Sequence, residues 1–150
     1  MAIQTTLGQL VAAADDTPDQ VSALTRLATQ RLPVKHAYDV KKIRQLVRPE
    51  LQHWHDEREA FIKELGAERE PTAAERIRFG AGKVMAVKPE HEPAFQQRMA
   101  ELAALAVSIA WQPIDLSTAG SVAISAHDLE VLGPLVTAGA FETTEPTHEA

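Results

Sequence analysis

At 150 residues the chain suits one domain, long enough to bury about 70% of its unfolded surface. Apolar residues make up 45% and charged residues 24%, ordinary values for a globular protein, and the net charge is −6. The absence of cysteine excludes disulfides, thiolate metal sites and a cysteine nucleophile.

The opening MAIQTTLGQLVAAADD has no basic region followed by an apolar core, so it does not read as a signal peptide. No apolar run approaches the roughly 18 residues of a membrane span. The expected setting is the cytoplasm or a particle assembled there.

Ile3 to Thr5 suits a short edge strand. Thr6 and Gln9 form a capping-box pair ahead of Leu7, Leu10, Val11 and Ala14, which share one helical face. In DDTPDQ, Thr17 is the expected N-cap, with Pro18 at the first helical position and Gln20 closing the box. Val21, Leu24, Leu27 and Ala28 carry that helix to about Arg31, and Pro33 ends it.

A long amphipathic helix is expected from Val34 to Leu65, stopped by Gly66. Ala37, Tyr38, Val40, Ile43, Leu46, Val47, Leu51, Trp54, Phe61, Ile62 and Leu65 fall near one stripe. Its charge is split: Arg31, Lys35, Lys41, Lys42, Arg44 and Arg48 face only Asp39, whereas Asp56, Glu57, Glu59 and Glu64 outweigh Arg58 and Lys63. Pro49 removes one helical hydrogen bond, so a kink or a junction of two helices is expected there.

Glu68 to Thr72 reads as a polar link, and Thr72 with Glu75 caps a short helix from Ala73 to Phe79. Val84 to Val87 suits a strand stopped by Pro89. A helix near Glu90 to Ala106 would bury Phe95, Met99, Leu102 and Leu105. Val107, Ile109 and Trp111 alternate as in a half-buried strand, which Pro113 places at an edge or bulge. Ser125 and Asp128 open a closing helix through Leu129, Leu132 and Leu135. Residues 1–140 would form one helix-rich α+β domain, with a long kinked amphipathic helix and a small sheet of short strands. Residues 141–150 would be a polar, acidic tail.

The candidate chemical motifs are weak. His53 and His55 are two apart and point away from each other on a helix, whereas a helical metal pair needs a spacing of three or four. Phe79–Lys83 lacks the first glycine of a phosphate loop, with Ile77 in its place, and has Val84 where the loop needs Ser or Thr. Glu92 and Asp128 sit in first helical turns, where the dipole favours acids. No serine occupies a nucleophile elbow. The basic cluster at 31–48 spreads over several helix faces without interleaved aromatics, so nucleic acid is not the expected partner. No catalytic residue, cofactor or metal is expected. The candidate partner-binding residues are Lys35, Tyr38, Lys41, Lys42, Arg44, Arg48 and Trp54.

In order, TLGQL, QRLPVKHAYDVKKIRQLV and EREAFIKELG resemble a family of small uncharacterised proteins encoded by tailed bacteriophages and prophages. The family pattern opens with T-L-x-E-L, continues with K-L-P-x-K-x-A-Y, and closes with S-x-x-D-L-x-x-L-x-P. The counterparts are Leu32, Pro33, Lys35, Ala37 and Tyr38, then Gly66, then Pro113, Ile114, Leu116 and Ser117. Ser125, Asp128, Leu129, Leu132 and Pro134 complete the series. Two features depart from the pattern: Pro49 interrupts the helix, and Glu68–Lys83 is longer than usual. The resemblance implies a non-enzymatic virion or assembly component that binds a phage structural protein or its own copies, in the virion or host cytoplasm. The alternative is an early modulator that binds and inhibits a host enzyme or defence protein. No catalytic residue is implied.

Overall fold

The structure is a computed structural model and describes residues 2–80 and 82–137. The architecture is helix-rich α+β: six helices with three separate two-stranded sheets among the described residues. The tail expected at 141–150 lies outside the described residues.

Strand β1 (Ile3–Thr6) runs directly into helix α1 (Leu7–Ala14). Thr6 holds an extended backbone, and its hydroxyl accepts from the Gln9 amide while Gln9 Oε1 accepts from the Thr6 N–H. That reciprocal box satisfies two of the donors a helix start leaves open. Leu7, Leu10 and Ala13 then recur every three residues and are fully buried.

The second helix begins later than the Thr17 cap predicts. Thr17 and Gln20 instead close a tight turn on each other through paired backbone bonds of 2.9 and 3.2 Å. Ser22 is the true cap of α2 (Ala23–Ala28), accepting from the Thr25 amide. Asp16 makes the difference, because one carboxylate oxygen accepts from the Ser22 N–H at 2.7 Å and the other from the Thr25 hydroxyl at 3.0 Å. The helix also ends at Ala28 rather than Arg31, and Pro33 caps the next one.

Helix α3 (Val34–Leu65) is one element of 32 residues, continuous through Pro49, so the two-helix alternative does not occur. Its buried positions are His36, Asp39, Val40, Ile43 and Val47, all in the first half. Beyond Val47, Leu51, Trp54 and Phe61 are half-buried and pack against the core edge.

Gly66 ends α3, but Gly66–Arg69 is a strand, β2, not a polar link. It pairs antiparallel with β3 (Val84–Val87), Gly66 opposite Val87 and Arg69 opposite Val84. Between them lies α4 (Ala73–Phe79), with the Thr72–Glu75 capping box formed as expected. A single 3₁₀ turn at Pro89–His91 leads into α5 (Glu92–Ala103), shorter at both ends than the sequence suggests, and Leu105 is left exposed.

Strand β4 (Ala106–Ile109) returns to pair antiparallel with β1. Ile3 faces Ile109 and Thr5 faces Val107, which puts the buried side chains of both strands on the core face. Trp111 lies just past the strand, its N–H bonded to Ile109 O. A short parallel pair joins β5 (Ile114–Asp115) to β6 (Val136–Thr137), flanking α6 (Ala126–Leu132). The core is the space enclosed by α1, α2, the first half of α3 and α6, with β1 and β4 as its floor.

A candidate docking face on the long helix

The first half of α3 turns one stripe inward and leaves two neighbouring surfaces in solvent. The inward stripe carries an acid. Asp39 is 3% exposed, yet both its oxygens are satisfied: Oδ1 accepts from the Trp111 indole N–H at 3.1 Å, and Oδ2 from Lys35 Nζ at 3.3 Å. A buried carboxylate needs such partners to offset its desolvation.

Above that carboxylate the aromatics assemble. Tyr38, half exposed at 51%, lies with its ring centroid 6.0 Å from that of Trp111, the planes tilted by 59°. Lys42 Nζ stands 5.8 Å from the centroids of both rings, in cation–π range. Lys35, Tyr38 and Lys42 therefore belong to one cluster, built around Asp39 and Trp111. An open cavity of about 510 Å³ beside it is lined by Ala2, Ala110, Trp111 and Gln112.

Lys41, Arg44 and Arg48 lie on a different edge of α3. With Gln45 they rim a groove of about 350 Å³ whose walls are Ala28, Leu32, Ala37 and Val40. Among the described residues no ion pair joins Lys41, Lys42, Arg44 or Arg48 to an acid. Like charges three and four apart on a helix repel by about 0.2–0.5 kcal/mol per pair, so this row costs stability in the isolated protein. Arg44 and Arg48 also border a smaller cavity of about 240 Å³ that contains Asp15 and Asp16. Burial pushes the Asp16 carboxyl up, but hydrogen bonds from Ser22 and Thr25, with help from the Arg44 charge, outweigh it and hold the group below its ordinary value.

The acidic half of α3 is largely engaged. Arg98 makes a two-pronged pair with Glu64, at 2.5 and 3.1 Å, and stacks over Phe61 at 5.5 Å. That hydrogen-bonded pairing holds the Glu64 carboxyl below its ordinary value. Lys63 reaches Glu59 at 3.7 Å, and Gln52 donates to Asp56 at 2.8 Å. The charge split therefore has a solvent-facing basic side and an acidic side partly neutralised within the fold.

Trp54 sits apart from both surfaces, half-buried against the core. His53 is exposed, while His55 Nε2 lies 2.9 Å from Asp15 Oδ1. His36 is buried, with Nε2 within reach of Asp115 O (3.1 Å) and Thr118 Oγ1 (2.9 Å), and its Nδ1 has no partner among the described residues. Among the described residues no group of three or more His, Asp or Glu side chains is placed to hold a metal ion, and no helix is long and apolar enough to cross a membrane.

Sequence reasoning missed Asp39 and Trp111 as members of the cluster. A signal for Asp39 was present: it is the lone acid among the cations and lies three residues from His36 and four from Ile43, on the inward face. Trp111 carried none, since its partners are 72 positions away in the chain. In comparisons with known proteins, the chain matches no family model, no curated protein and no solved structure.

Proposed function

We propose that this chain is a non-enzymatic bacteriophage protein, a small virion or assembly component that docks on a larger phage structural protein of the capsid, connector or tail. The observation that carries the reading is the solvent-facing side of α3 between Lys35 and Arg48. There, half-exposed Tyr38 and partly buried Lys42 stand over buried Asp39 and half-buried Trp111, beside a row of cations that makes no ion pair among the described residues. Aromatic and arginine side chains of this kind dominate binding energy when a partner desolvates them. The cluster is held in place before any partner arrives, which lowers the ordering cost of association. The ordered resemblance to tailed-phage proteins supports the phage setting, and copies on a symmetric shell suit a chain of this size.

Quantitative mass spectrometry of purified phage particles tests this. A copy number matching a capsid, connector or tail symmetry is expected. Absence from particles, with abundance in infected cells, overturns the virion reading in favour of an early modulator that binds a host enzyme or defence protein.

A further inference from the structure

Resting on the reading of α3 as a docking face, we infer that the groove rimmed by Lys41, Arg44 and Arg48 takes an acidic amphipathic helix of the partner protein. The three cations follow one edge of α3 at spacings of three and four, a row about 10 Å long. Carboxylates repeated every three or four residues on a facing helix match that row in pitch. Two of the three receptors are guanidinium forks, which take a carboxylate through paired hydrogen bonds. Apolar Ala28, Leu32, Ala37 and Val40 line the groove beside the cations, and its volume of about 350 Å³ admits a large apolar side chain. An apolar anchor flanked by acids is the pattern of helix-in-groove recognition.

The same observations disfavour other occupants. A nucleic-acid strand would find no aromatic ring in the groove to stack on, and Asp15 and Asp16 border the adjoining cavity shared with Arg44 and Arg48. A second copy of the chain would have to offer its acidic stretch. There Glu64 is already held by Arg98, and Glu59 and Asp56 have partners of their own.

The test uses a synthetic helical peptide of about 16 residues, with Glu at three- and four-residue spacing and Leu on the facing positions. A matched peptide carries Gln in place of each Glu. Fluorescence anisotropy measures binding to the full chain and to its Arg44→Glu/Arg48→Glu variant, with circular dichroism confirming that the variant is folded. Binding is expected to drop at least ~10-fold in the variant and with the Gln peptide, and to weaken as salt rises. Amide shifts on adding the Glu peptide should centre on Ala28, Leu32 and residues 37–48. Should the double reversal fail to fold, Arg44→Gln/Arg48→Gln replaces it with the same expectation. Equal binding by wild type and variant, or shifts centred elsewhere, overturns the inference. So does tighter binding of a single-stranded oligonucleotide than of the Glu peptide, or sedimentation as a dimer that the charge reversal dissolves. The outcome is independent of the particle assay: a chain absent from particles that still binds the peptide through this groove keeps the inference and loses only the virion reading.

Discussion

Arg26 on α2 and Asp128 on α6 are 102 residues apart in the chain and meet as a two-pronged pair, Nε to Oδ2 at 2.9 Å and Nη2 to Oδ1 at 2.7 Å. The third guanidinium nitrogen donates to Val21 O at 2.6 Å. Gln30 supports the same junction, its Oε1 accepting from the Ala123 N–H at 2.8 Å while its amide nitrogen donates to Ala123 O.

This pair makes stability fall in acid. The Arg26 hydrogen bonds, and to a lesser degree its charge, hold the Asp128 carboxyl below its ordinary value in the folded chain. A carboxyl depressed on folding stabilises fully above its unfolded pKa, about 3.9, and loses that contribution as pH falls through the lower folded value. Glu75, held at about 2 mainly by Arg69, acts in the same window and with the same sign. Urea titrations of wild type and Asp128→Asn should show a lower midpoint for the variant at pH 7 and converge only as pH falls through the lowered folded value of Asp128.

Removing the buried acid of the docking face should cost more than its small size suggests. Asp39→Ala takes from the half-buried Trp111 N–H its acceptor and from Lys35 its carboxylate, a loss of about 1–3 kcal/mol. Chemical denaturation measures the loss. Tyr38→Ala, at a half-exposed position, should change stability by less than about 1 kcal/mol, which makes it the cleaner probe of partner binding.

Gly8 permits close contact between α1 and the end of α5. A Cβ added there would stand 2.8 Å from Ala103 Cβ and 3.1 Å from Ala103 O. Gly8→Ala is expected to destabilise by about 1–3 kcal/mol through overpacking. Ala103→Gly in the same chain should recover part of the loss; a thermal midpoint unchanged by Gly8→Ala would contradict the close approach.

Pro49 lies inside α3, where it cannot donate a backbone hydrogen bond to the preceding turn. It is exposed, so no core packing holds it there. Pro49→Ala should stabilise the domain by about 1–3 kcal/mol, read as a raised thermal midpoint. A destabilised variant would mean that the backbone geometry imposed by the proline is needed for packing on both sides of it.

Local chemistry was legible in the sequence, and distant pairing was not. The Thr6–Gln9 and Thr72–Glu75 caps involve groups three residues apart, so the sequence alone places them. The long helix was legible from its periodicity. The start of α2 was not, because Asp16 takes both the Ser22 amide and the Thr25 hydroxyl and moves the cap five residues past Thr17. Strand β2, Gly-Ala-Glu-Arg, has neither alternation nor β-branched residues and is specified by its pairing with β3. The two-residue pair of β5 with β6 is too short to leave a periodic trace. Of the seven expected binding residues, three gather at the aromatic cluster, three rim the basic groove, and Trp54 lies with neither.

The pairing of β1 with β4 bears on how the molecule is made. On a ribosome β1 and α1 emerge about a hundred residues ahead of β4, and α6 follows later still. At about 5–20 residues per second, Leu7 and Leu10 meet α2 and the first half of α3 early, then wait several seconds more for α6. A nascent chain of this kind keeps one side of an apolar helix uncovered until α6 is made, so its yield in the cell should depend on chaperone supply more steeply than its final stability would suggest.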